Sequence, residues 1–188
     1  MGATYLKADF ARKNEVRIRY KLWTITLDTY NSAWGREDDP YWTRMRAPYV
    51  SRDGFRFEIY PTGFMAALVW TGIGTWLRLK KVNSGFPQMA EKLQVRANNE
   101  QKLRALLSNP RIRQLLDQDN TIHLLTKRQR SWFFALTSRS IYELYYDCPS
   151  VIVDLERLTF LYRIFAEMLD QLSEIGSSST RMTEGPQL

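Results

Sequence analysis

Apolar and polar residues alternate along the first third of the chain, then recur at steps of three and four near its end. Val16, Ile18, Tyr20 and Leu22 alternate with Arg17, Arg19 and Lys21, the period of a half-buried strand. Trp23, Ile25 and Leu27 then alternate with Thr24, Thr26 and Asp28 in the opposite parity. A one-residue slip moves the apolar set to the other face, so a bulge or break is expected near Leu22 and Trp23. Residues 31–40 read as a polar loop, and a second strand is predicted over 41–50, with Pro48 marking a sheet edge or bend near its end. Asp53-Gly54 signals a hairpin, because both residues tolerate positive φ. Phe55, Phe57 and Ile59 give a third strand, ended by Pro61 and Gly63.

Residues 63–77 read as a short apolar helix running into a strand over 75–82, and residues 83–87 as a turn. A strand follows at about 92–97. Asn98 or Asn99 caps a helix whose inner face is Leu103, Leu106 and Leu107. Asn109-Pro110 opens another, with Ile112, Leu115 and Leu116 inward. Strands are expected over 121–127, 132–136 and 141–146, with a turn at Gln129-Arg130. Residues 150–175 carry Val151, Leu155, Leu158, Tyr162, Phe165, Leu169 and Leu172 on one stripe, widened by Ile152, Leu161 and Met168. This is a long helix with a broad face to bury. Ser150 is its expected N-cap and Gly176 its expected stop.

The pattern predicts an α+β fold. An antiparallel sheet meander carries a helical insertion at about 98–117 and is covered by the long C-terminal helix. Strands closed by one helix also fit a pleckstrin-homology-like partial barrel. The expected organisation is an N-terminal arm over 1–15, one α+β domain over 16–176 and a flexible tail over 177–188.

Composition narrows the chemistry. The chain has 188 residues, 44% of them hydrophobic, enough for one packed domain. Cys148 is the single cysteine, which excludes an internal disulfide and suits a reducing compartment. His123 is the single histidine, so a zinc site of Cys and His is not expected, nor is any other metal or cofactor. The N-terminus lacks a signal-peptide pattern, and the apolar window over 63–77 is too short to span a bilayer, so no transmembrane segment is expected. The expected location is cytoplasmic, free or peripheral to a membrane. Net charge is +7, and residues 151–176 carry −3 of it, leaving +10 elsewhere. The outer face of the long helix, with Asp154, Glu167, Asp170 and Glu174, is therefore expected as an acidic surface opposite a basic one.

No phosphate loop, nucleophile elbow or zincin motif is present. His123 is read as structural, since no nucleophile or orienting carboxylate lies near it in sequence. The positive feature is basic and aromatic. Lys127, Arg128 and Arg130 stand beside Trp132; Arg17, Arg19 and Lys21 share a strand face; Arg78, Lys80 and Lys81 form a third cluster. Cations that neutralise phosphates beside rings that stack on bases are the tools of single-strand binders. The same residues also fit an ordinary solvated surface.

Three groups of residues carry a resemblance. They are 23–30 with 43–49 and 53–57, then 106–113, then 142–145 with 154–158. In this order they resemble the successive blocks of an uncharacterised group of bacterial hypothetical proteins, over about residues 23–175. The resemblance implies a bacterial protein and no particular activity. Lys80, Lys81 and the 128–131 turn depart from the group toward positive charge. The leading expectation is a non-catalytic binding or scaffold domain that meets other proteins. A second is a binder of anionic membrane surfaces or nucleic acid through the basic residues. A third is an enzyme whose pocket gathers Asp28, Arg44, Tyr60 and His123.

Overall fold

The computed structural model describes residues 3–6, 15–31, 41–62, 79–129 and 140–179. Within them the chain runs β1 (Ala3–Leu6), β2 (Glu15–Tyr20), β3 (Trp23–Asn31), β4 (Tyr41–Ser51), β5 (Phe57–Pro61), β6 (Lys80–Lys81), α1 (Pro87–Lys92), β7 (Leu93–Ala97), α2 (Glu100–Leu107), α3 (Pro110–Gln118), β8 (Leu124–Arg128), β9 (Ser140–Cys148) and α4 (Leu155–Glu174). The strands form one antiparallel sheet in the order β1-β2-β3-β4-β9-β8-β5-β7-β6. Its ends, β1 and β6, are not paired with each other, so the sheet is open and the partial-barrel alternative does not hold. The fold is α+β, with helical insertions and α4 packed on the sheet.

One face of the sheet and the helices share the core. Trp23, Ile25, Met45, Ala47, Tyr49, Phe57, Ile59, Val95, Leu124, Leu144 and Tyr146 meet Leu103, Leu106, Leu107, Ile112 and Leu116 of α2 and α3 and the inner stripe of α4. The alternation in β3 and β4 and the three-and-four spacing in α4 are the two halves of this layer. Asn99 caps α2 through Lys102 N–H at 3.0 Å, and Asn109 caps α3 through Arg111 N–H at 2.9 Å. Asn109 Nδ2 also donates to Gln171 Oε1 at 3.1 Å, and Gln171 donates to the Ala105 carbonyl at 3.3 Å. The α2–α3 corner is thereby fastened to α4.

Several expectations change. The parity switch at Leu22–Trp23 is a two-residue hairpin, with Tyr20 paired to Trp23 and Lys21 at φ 51°. Asp53-Gly54 does not make a hairpin, because β4 and β5 are separated in the sheet by β9 and β8. The carboxylate of Asp53 is taken by Lys102, Ser177 and the Phe55 N–H, so the turn is fixed by distant partners and redirects the chain across the sheet. Pro48 lies in an interior strand, paired with Glu143 of β9, but on its other side pairing with β3 stops at Arg46, two residues short, so its missing N–H falls at a local edge. The long helix starts at Leu155, later than expected, and Asp154 caps it through Glu156 N–H at 3.0 Å. Ser150 instead offers its carbonyl to Thr43 N–H at 3.0 Å and Oγ1 at 2.7 Å, which holds 150–152 extended beside β4. Gly176 does end the helix, at φ 73°.

The N-terminal arm contributes an edge strand, since Ala3–Leu6 pairs with β2. Ser177, Ser178 and Ser179 are buried where a loose tail is expected: the Ser177 carbonyl accepts from Arg52 N–H, Ser179 N–H donates to the Val50 carbonyl of β4, and the Ser177 and Ser178 N–H groups donate back to the Leu172 carbonyl. Helix α1 was not legible in the pattern. The strand over 75–82 contributes Lys80–Lys81 to the sheet, its first residues lying outside the described set. The polar loop expected over 31–40, apart from Asn31 at the end of β3, the helix over 63–77, the strand over 132–136 and the residues beyond 179 also fall outside it.

Candidate functional site

The sheet face turned away from the helices carries a layer of charged and phenolic side chains. Cross-strand partners point to the same side of a sheet, so the register lays out this layer. Asp28 pairs with Arg44, Arg44 with Asp147, Arg46 with Tyr145, Pro48 with Glu143, Lys127 with Glu143, Leu125 with Tyr145, Glu58 with Leu125 and Arg96 with Glu58.

Its first part is an ion network. Arg44 holds Asp28 in a two-pronged contact at 2.8 and 2.5 Å, and Arg46 reaches the same carboxylate at 3.3 Å and Glu15 at 3.4 Å. Glu15 also pairs with Arg17. Asp28 is 2% exposed and compensated by two guanidinium groups, as a buried charge requires. The bond to Asp28 holds Arg44 firmly protonated against the opposing effect of burial.

Its second part centres on Asp147, which accepts from Tyr30 OH and Tyr145 OH at 3.0 Å each. Burial and the Asp147 charge push Tyr30 up to about 12 and raise Tyr145 further. The Lys127 ammonium lies 3.2 Å from the Tyr145 ring centroid. Burial lowers the Lys127 pKa in spite of Asp147, Glu143 and Glu58 nearby, and Arg44 adds to the lowering. Burial raises Glu143, against Arg46, Arg44 and Lys127. Lys127 and Glu143 are thus directly opposed across β8 and β9 without forming an ion pair among the described residues.

Its third part is Glu58 with His123, 3.0 Å apart and each 5% exposed. Glu58 Oε2 is buried with no hydrogen-bond partner. Tyr60 donates to Gln94 at 3.1 Å, with the Arg96 guanidinium 5.2 Å from its ring centroid. Asp28, Arg44, Tyr60 and His123 therefore share one face but belong to two separate clusters. The first two bond each other, and the last two flank Glu58 several strands away.

The basic candidates are not gathered. Arg17 and Arg19 are exposed on β2, whereas Lys80 and Lys81 are exposed on β6, seven places along the sheet order. Lys21 is engaged by Asp170 at 2.7 Å, Lys127 is half-buried in the polar layer, and Arg128 is exposed at the end of β8. Arg78, Arg130 and Trp132 lie outside the described residues. Two acids of α4 are likewise engaged: Asp170 by Lys21 and Tyr20, and Glu167 by Arg111 at 3.4 Å. The separate acidic surface does not survive this pairing, and α4 clamps the body instead.

A second feature lies where β9 leads into α4. Val151, Val153 and Leu155 are 50%, 85% and 75% exposed, while Ile152 between them packs against the core. Tyr41, 57% exposed, is two residues along β4 from Thr43, whose hydroxyl accepts from the Ile152 N–H at 2.9 Å. The apolar spacing read as the first turn of a helix is therefore an extended segment whose alternate side chains face water. Glu58, Glu143, Tyr145 and Asp147 were not singled out from sequence. Their signal is the alternation of polar Glu143, Tyr145 and Asp147 with Leu144 and Tyr146 in β9, a strand with two differently used faces.

No protein-family model matches the chain, and no curated protein or solved structure matches it. No described helix is long and apolar enough to cross a membrane. Among the described residues no three of His, Cys, Asp and Glu gather as a metal-binding set.

Proposed function

We propose that the chain is a non-catalytic binding domain that docks on another protein through Val151, Val153 and Leu155. The exposure of these three side chains carries the reading. Among the described residues the exposed large apolar side chains are these three and Tyr41, and contiguous exposed apolar groups mark contact sites. Asp154 and Glu156 are exposed beside the strip, so the partner it fits presents an apolar groove edged by basic side chains. Bacterial origin, the block resemblance and a cytoplasmic location, free or peripheral to a membrane, belong to the same proposal.

The test is affinity purification from the source cell with the full chain and with Val153→Asp plus Leu155→Ser. A protein recovered by the first and lost by the second, with both variants equally folded, supports the reading. An identical set of co-purifying proteins counts against it. The separation of Arg17 and Arg19 from Lys80 and Lys81 weighs against a single polyanion-binding face. Binding to anionic vesicles or single strands at low salt that fades with added salt would favour that reading over this one.

A further inference from the structure

We infer that Lys127 is the anchoring amine of a small-ligand site on the polar sheet face, where it forms an imine with a hydroxylated aldehyde or ketone, assisted by Glu143 and positioned by Glu58. Three observations converge. The Lys127 amine is half-buried, rests on the Tyr145 ring and has no hydrogen bond or ion pair among the described residues. Glu143 stands directly opposite in the β8–β9 ladder and is also without a hydrogen bond or ion pair among them. Glu58 pairs with Leu125, which places it one diagonal step from Lys127, and its Oε2 is a buried acceptor with nothing to accept. A buried acceptor left unpaired is destabilising, and a ligand hydroxyl would satisfy it.

The burial effects on the two opposed groups run the same way. Both Lys127 and Glu143 are pushed toward their uncharged forms, an amine and a carboxylic acid. A neutral amine is the nucleophile that imine chemistry needs. The Lys127 nitrogen adds to the carbonyl carbon, the carbon–oxygen π bond opens, and the amine proton passes to oxygen to give a carbinolamine. Glu143 then protonates the hydroxyl, water leaves, and the nitrogen lone pair forms the C=N bond. The product is a protonated iminium beside the Glu143 carboxylate, so two opposed groups without a bond between them become an ion pair. No oxidant or reductant takes part. This site is independent of the apolar strip before α4.

The test treats the full chain with glycolaldehyde and cyanoborohydride at neutral pH and maps modified lysines by mass spectrometry. Lys80 and Lys81, both exposed, serve as internal references. Lys127 is expected to be modified about tenfold faster than either. Glu143→Gln should lower that ratio about tenfold while leaving the reference lysines unchanged. Replacing glycolaldehyde by acetaldehyde, which lacks the hydroxyl, should also lower the ratio. Modification of Lys127 no faster than Lys80 and Lys81 overturns the proposal, and leaves Lys127 as a cation packed on an aromatic ring. A ratio unmoved by Glu143→Gln or by acetaldehyde removes the assigned roles of Glu143 or Glu58. The wild-type ratio decides the central point even if the variant does not fold.

Discussion

Asp53 Oδ2 accepts a hydrogen bond from Ser177 Oγ at 2.8 Å, joining the turn after β4 to the residue that follows Gly176. Lys102 of α2 pairs with the same carboxylate and donates to Ser177 Oγ at 3.1 Å. Three segments distant in sequence thus meet at one carboxylate. Burial acts to raise the Asp53 pKa, but the bonds from Lys102, Phe55 N–H and Ser177 outweigh it and the net shift is downward. A lowered carboxylate contributes stability that is present above its ordinary value of 3.8 and is lost as pH falls through the folded-state value. Asp53→Asn should destabilise the protein by about 1–2 kcal/mol at pH 7. The gap between variant and wild type should close as urea denaturation is repeated toward pH 3. A constant gap would show that the carboxylate charge is not what holds the three segments.

Asp170 connects α4 to the β2–β3 hairpin. It accepts from Tyr20 OH at 2.6 Å and from Lys21 Nζ at 2.7 Å. Lys21 is exposed, so its ion pair is screened by water, whereas Tyr20 is half-buried and packs edge-on against Tyr162. Asp170→Ala should therefore cost about 1–2 kcal/mol, and Lys21→Met less than about 0.5 kcal/mol. Chemical denaturation of both variants checks the ordering; equal losses would place the weight on the ion pair.

The course of the chain shows why some of this was legible and some was not. Local signals worked where local physics decides: Asn99 and Asn109 cap their helices, and the alternation of Trp23 and Ile25 marks the buried face of β3. They failed where a distant group overrides them. Asp53-Gly54 has hairpin chemistry, yet β9 and β8 insert between the strands it joins. The spacing of Val151 and Leu155 fits a helix face, yet Thr43 captures the Ser150 carbonyl and the Ile152 N–H. The polar layer was obscured because Glu58, Lys127 and Glu143 come from three strands, and nothing local distinguishes them from surface residues. The basic residues were legible as charges but not as places, since strand order separates Arg17 from Lys80.

The start of α4 separates two candidate caps. Asp154 accepts from Glu156 N–H at 3.0 Å, whereas the Ser150 backbone is bonded to Thr43 four residues before the helix cap. Asp154→Ala should cost about 1 kcal/mol, the ordinary loss for an N-cap. Ser150→Ala keeps the carbonyl that Thr43 uses and should change stability by less than about 0.5 kcal/mol. Thr43→Val removes the hydroxyl that bonds both Ser150 and Ile152, and should exceed Ser150→Ala. Thermal melts of the three variants give the order; a larger effect at Ser150 than at Asp154 would restore the earlier helix start.

Alkaline pH should expose the phenols of the sheet. Burial pushes Tyr49, Tyr145 and Tyr146 well above the ordinary phenol value of 10.0 and takes Tyr30 up to about 12. Tyr49 is 1% exposed, and its hydroxyl is buried without a partner. In the unfolded chain these groups lose their protons near pH 10, while the folded protein retains them. The folded state therefore binds more protons there, and stability falls as pH rises. The contribution is complete below pH 10 and diminishes through the folded-state values, by up to about 1.4 kcal/mol per pH unit for each phenol. Phenolate absorbance near 295 nm should accordingly rise in a cooperative step that coincides with loss of circular dichroism, after a gradual phase from exposed tyrosines. Tyr49→Phe removes one buried proton site and an unpaired hydroxyl. It should leave stability at pH 7 unchanged or raised by about 1 kcal/mol, and should move the alkaline step to higher pH. An alkaline midpoint unmoved by this substitution would mean that Tyr49 does not contribute to the transition.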